Sequence, residues 1–112
     1  MFFDNLGFQY EELMQRFLGN DMLANRFLKT FVDEKTYVQL CSAIEQENYQ
    51  DIENLAHTLK GIAGNLGLKS IFEDSDRIVK TIRMNQYEKV QPSFEQLQQD
   101  YHQVVEVLKQ LD

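Results

Sequence analysis

One histidine in this chain stands where it could do chemistry. His57 lies in the run Ala56-His57-Thr58-Leu59-Lys60-Gly61-Ile62-Ala63-Gly64-Asn65-Leu66-Gly67-Leu68. A neutral imidazole is a nucleophile near physiological pH. Lys60 follows it at i+3, Gly61 at i+4 and Gly64 at i+7, positions that share a face on a helix. A glycine inside a helix costs about 1 kcal/mol relative to alanine, and a water-facing position gives no packing reason to carry that cost. Gly61 and Gly64 therefore read as clearance. They leave bare backbone beside the ring, so a bulky partner can reach it, and Lys60 adds a cation for whatever the ring receives. The pattern suits a histidine visited by a large anionic group.

A helix must hold these residues in place. Ile52, Leu55, Ala56, Leu59, Ile62, Ala63 and Leu66 recur at the three-and-four spacing of one apolar face. At about 100° per residue that face centres near Leu59, and His57 and Gly61 each point about 160° away, toward water.

The segment from His57 to Gly67 resembles the motif of histidine-containing phosphotransfer (HPt) domains, the helical phosphocarriers of multistep two-component signalling. The resemblance extends to the length and helical layout of nearly the whole chain. It implies that His57 is the phosphorylated residue, that Lys60 neutralises the phosphoryl group and that Gly61 clears space for the partner. Ile62 stands where many members have a small residue, a departure that touches packing rather than chemistry. The implied partners are response-regulator receiver domains and a hybrid sensor kinase. Magnesium and the catalytic carboxylates are expected in the partner receiver domain, with no cofactor or metal bound by this chain. No glycine-rich phosphate loop is present to hold a nucleotide, so no autokinase activity is expected.

The same residues admit other function classes. A surface histidine is usually only a solvated polar group, and His102, flanked by Gln98 and Glu106, reads that way. A di-metal bundle needs several inward Glu and Glu-x-x-His sets; Glu53 precedes His57 at i−4, but no second set exists and both point outward. The remaining alternative is a non-phosphorylated helical adaptor that binds receiver domains or other signalling partners.

Composition narrows the field. The chain has 112 residues and a formal net charge of −7, enough for one domain with one core and without the basic footprint that nucleic-acid binding requires. An anionic membrane surface is equally disfavoured, and no apolar run reaches the roughly 18 residues of a spanning helix. No basic leader followed by an apolar core is present. Cys41 is alone and reads as a buried core thiol. The expectation is a monomeric, cytoplasmic protein forming a single domain over residues 1–112, either free-standing or part of a larger sensor, with the Met1 start favouring the first.

The apolar spacing predicts an all-α fold: an antiparallel four-helix bundle with a short additional N-terminal helix. Tyr10, Leu13, Met14, Phe17 and Leu18 mark the short helix, ended by Gly19. A second helix is expected over 22–46, with Leu23, Phe27, Leu28, Phe31, Val38, Cys41 and Ile44 as its core stripe. Phe27 and Phe31 are read mainly as core, with partner docking as the lesser reading. The third helix is capped by Asn48, with Asp51 three residues on, and ends near Gly67. Ser70 and Glu73 form a capping box for a fourth helix over 71–84, buried through Phe72, Val79 and Ile82, with Ser75 and Ile78 at the margins. Asp76, Arg77, Lys80 and Arg83 read as its solvated face. In related domains this helix can place a polar side chain near the phosphohistidine; the sequence singles none out. The fifth helix starts near Pro92 or has a lead-in from Glu88, and its stripe is Phe94, Leu97, Tyr101, Val104, Val105, Leu108 and Leu111.

Overall fold

The computed structural model describes residues 26, 31 and 35–108, with side chains described as far as residue 106. Four helices follow one another: α1 (Lys35–Glu45), α2 (Tyr49–Leu66), α3 (Lys69–Arg83) and α4 (Val90–Leu108), the last entered through a 3₁₀ turn at Tyr87–Lys89. Arg26 and Phe31 are helical too, and no strand occurs among the described residues. The expected N-terminal helix and the positions of Leu23, Phe27, Leu28 and Leu111 lie outside the described residues, as does the side chain of Leu108.

Local chemistry sets the boundaries. Asn48 caps α2 by accepting from the Asp51 amide at 3.2 Å, while its own amide group donates to the Asp51 carboxylate at 2.8 Å. Helices α1, α2 and α3 all end in one motif. A residue in the left-handed region lets the next amide reach back to a carbonyl of the last turn. In α2, Leu68 N–H donates to Ala63 O at 2.9 Å, past Gly67 at φ 73°. In α1 and α3 the corresponding bonds run from Asn48 to Ala43 (3.1 Å) and from Gln86 to Thr81 (2.8 Å), past Glu47 at φ 52° and Asn85 at φ 58°. Pro92 falls in the first turn of α4, where the absent N–H costs nothing.

Helix α2 packs on α1 and α3, and α3 also packs on α4. The buried seam of α2 is Ile52, Ala56, Leu59, Ala63 and Leu66, as its spacing predicts. It meets Leu40, Ala43 and Ile44 of α1, Ile71, Ile78, Val79 and Ile82 of α3, and Val90, Phe94, Leu97, Tyr101 and Val104 of α4 in one core. Each fully buried aliphatic side chain contributes about 1.5–3 kcal/mol. Tyr37 stacks on Tyr101 at 3.8 Å between centroids and Phe31 lies 5.3 Å from the same ring, tying the N-terminal side of the core to α4.

Several expectations change. Val38 is 67% exposed, because α1 turns Thr36, Leu40, Ala43 and Ile44 inward instead; Cys41 is half-buried at the margin. The Ser70–Glu73 box does not set the start of α3, which begins at Lys69 after Leu68 without a side-chain cap. Leu68 is wholly buried, so apolar anchoring fixes that entry. Phe72 is 37% exposed, and Ile71, Asp74, Ser75 and Ile78 occupy the inner face of α3.

Candidate functional site

The buried seam of α2 forces His57 to the opposite face, where it is exposed. Its neighbour Thr58 turns its hydroxyl back to Asn54 O at 3.0 Å, a local bond that keeps this side chain on its own helix. Gly61 is exposed, and a β-carbon there would meet nothing within 4 Å. This glycine faces open space, as its placement predicts. Gly64 does not. A β-carbon on it would lie 3.3 Å from Phe72 Cδ2, so its clearance is taken up by the Phe72 ring from α3.

Helices α2 and α3 run antiparallel, and cross-helix pairs line the edge that carries His57. One turn before the histidine, Arg83 Nε donates to Glu53 Oε2 at 2.8 Å. One turn after it, Lys60 Nζ donates to Asp76 Oδ1 at 2.8 Å. Beyond that, Phe72 covers Gly64, and Lys60 Nζ also lies 5.4 Å from the Phe72 ring centroid, within cation–π range. Lys60 is thus held in place instead of waving in water; its side chain retains 30% exposure. Asp76 bonds a second cation, with Lys80 Nζ at 2.8 Å from Oδ2. These two lysines, Lys60 first, hold the Asp76 carboxyl below its ordinary range.

The structure therefore brings together His57, Lys60 and Gly61, and leaves His102 apart on the exposed side of α4. Asp76, read from the sequence with Lys80 as part of a solvated face, instead bonds Lys60 across the helices and Lys80 along its own. Their i,i+4 spacing was readable as an intrahelical pair; that Asp76 also reaches α2 was not. Among the described residues no group of three or more His, Cys, Asp or Glu side chains is gathered as a metal site.

Comparison with known families decides what this geometry belongs to. The family model of the Hpt domain matches residues 26–107. The chain belongs to the Hpt domain family. Hpt domains are phosphocarriers, which pass phosphoryl groups through a histidine in phosphorelays and interact with response-regulator receiver domains. The match spans the four helices described here but for the last residue of α4, and includes the His57 edge. No curated protein and no solved structure matches this Hpt domain. No helix among its described residues is long and apolar enough to cross a membrane.

Proposed function

We propose that this Hpt domain carries phosphoryl groups on His57 between two receiver domains. The observation that carries the reading is an exposed imidazole with open space over Gly61 one turn away and the Lys60 ammonium on the same edge. A ring nitrogen with a free lone pair attacks the phosphorus of a receiver's aspartyl phosphate. The N–P bond forms, the P–O bond breaks and the aspartate leaves as a carboxylate; the proton on the other ring nitrogen can pass to water. The reverse step gives the group to a second receiver's aspartate. Lys60 offsets charge on the phosphoryl oxygens, and Gly61 admits the partner's surface. Magnesium and the catalytic carboxylates belong to the receiver, whose site must close around the phosphoryl group for in-line transfer.

In this reading the chain has no autokinase activity, is one domain, and works as a monomer in the cytoplasm, with a hybrid sensor kinase upstream. The helix order and short connections support an antiparallel four-helix bundle.

Incubation with a phosphorylated receiver domain tests this. The expected product is an acid-labile, alkali-stable phosphate on this chain, lost in His57→Gln with the fold intact. Binding without transfer would establish the adaptor function instead, and label retained in His57→Gln would remove His57 from its role.

A further inference from the structure

Asp76 gathers two ammonium groups, one from each helix: Lys60 on Oδ1 and Lys80 on Oδ2, each at 2.8 Å. The antiparallel register places this cluster. Glu53 meets Arg83 and Lys60 meets Asp76, and His57 lies between Glu53 and Lys60 on the same stripe of α2. The α3 turn opposite His57 is therefore that of Val79 and Lys80. Val79 is buried, whereas the Lys80 side chain is 70% exposed, so Lys80 shares the solvent side of the helix pair with the imidazole.

We propose that Lys80 is a second phosphate-binding cation of this site, and that Asp76 is a positioning residue that holds Lys60 and Lys80 beside His57 and yields them to the phosphoryl group once it is on the ring. This rests on the phosphocarrier reading of His57. The physical basis is competition for charge. Two lysines and one aspartate leave a local excess of one positive charge. A phosphoryl group brings close to two negative charges and three acceptor oxygens, against one charge on Asp76. The Lys80 side chain is 70% exposed, so its pair with Asp76 is weak and exchanges readily; Lys60 keeps partial exposure, and each ammonium has three donors on a flexible stem. The lysines can thus swing to the phosphoryl oxygens without disturbing the core beneath them.

The test uses the full chain and phosphoramidate, which phosphorylates imidazole directly: its P–N bond breaks, ammonia leaves and the new N–P bond forms on the ring. Phosphorus NMR follows the lifetime of the phosphohistidine, and carbon NMR follows the Asp76 carboxyl carbon at the same pH, neutral or above. Hydrolysis of phosphohistidine runs through the ring-protonated form, which nearby cations disfavour. Lys80→Gln should shorten the lifetime about two- to fivefold, the effect of losing one exposed charge pair. Asp76→Asn should lengthen it, because both lysines are then free for the phosphate. In the native chain the Asp76 carboxyl carbon signal should move on phosphorylation at constant pH and return as the phosphate is hydrolysed, as its ammonium partners leave and come back. A purely structural Asp76 would instead shorten the lifetime when replaced, in the same direction as Lys80→Gln, and would overturn the proposal. An unchanged lifetime in Lys80→Gln, or an Asp76 carboxyl signal that ignores phosphorylation, would overturn it as well. Failure of the native chain to form phosphohistidine at residue 57 at all is a different result: it removes the phosphocarrier reading, and this inference with it.

Discussion

The Phe72 ring lies across Gly64, its Cδ2 3.3 Å from the point where a β-carbon on that glycine would stand. Three residues earlier, Gly61 looks into open space. The two glycines are alike in sequence and differ in what they do: one admits a side chain of the same protein, the other leaves the surface bare. Gly61→Ala should stabilise the fold by about 1 kcal/mol through helix propensity alone. Gly64→Ala should gain less, since Phe72 must give way by a few tenths of an ångström. Denaturant midpoints compare the two; equal gains would show that the Phe72 contact costs nothing to move.

A larger side chain at Gly61 separates stability from transfer. Gly61→Val adds bulk where only solvent stands, so its melting temperature should stay close to that of the native chain. Phosphoryl transfer from a receiver should fall by about a hundredfold, the scale of a misplacement of about 1 Å at a reacting centre. Stopped-flow or gel-based transfer assays measure it, and normal transfer would remove the clearance role of this glycine.

Glu47 and Gly67 occupy the same left-handed position at the ends of α1 and α2, at φ 52° and 73°. A β-carbon in that conformation costs roughly 1–2 kcal/mol. Glu47→Gly should therefore stabilise the chain by about 1 kcal/mol, and Gly67→Ala should destabilise it by a similar amount. Thermal unfolding of the two variants should shift in opposite directions.

Asp74 and Asp76 sit two residues apart on α3 and respond to pH with opposite signs. Asp74 is buried, with Oδ2 lacking a hydrogen-bond partner among the described residues. Burial first, then Asp100 on α4, push its pKa up to about 7, with Arg77 opposing. The folded state therefore favours the protonated form. The stability this provides is full below the unfolded value, near 3.8, and is lost as pH rises through about 7. Asp76, held low by its lysines, contributes above its unfolded value and loses that contribution as pH falls. Asp74→Asn should thus flatten the decline in stability between about pH 5 and about pH 8 and leave the chain more stable than the native one at the upper end. Urea titrations at both pH values decide this; an undiminished decline would mean that Asp74 is ionised in the fold at both.

Much of this protein was determined by its sequence alone. The strict three-and-four spacing of Ile52, Ala56, Leu59, Ala63 and Leu66 settles which face of α2 is buried, and thereby sends His57 and Gly61 outward, because one helix cannot bury both faces against a single core. Asn48 and Gly67 mark the limits of α2 through local hydrogen bonding, which needs no tertiary partner. Tertiary structure decided the rest. Val38 and Phe72 fit an apolar stripe as well as their neighbours do, and only the faces that α1 and α3 turn to the core left them outside. Nothing in the local spacing marks Asp74 as buried; the packing of α3 in the core does. The association of Lys60 with Asp76 depends on the antiparallel register of α2 and α3, a relation between residues 16 apart that no local spacing encodes. The chemistry offered by His57 is local; the charges that surround it are set by how two helices pack.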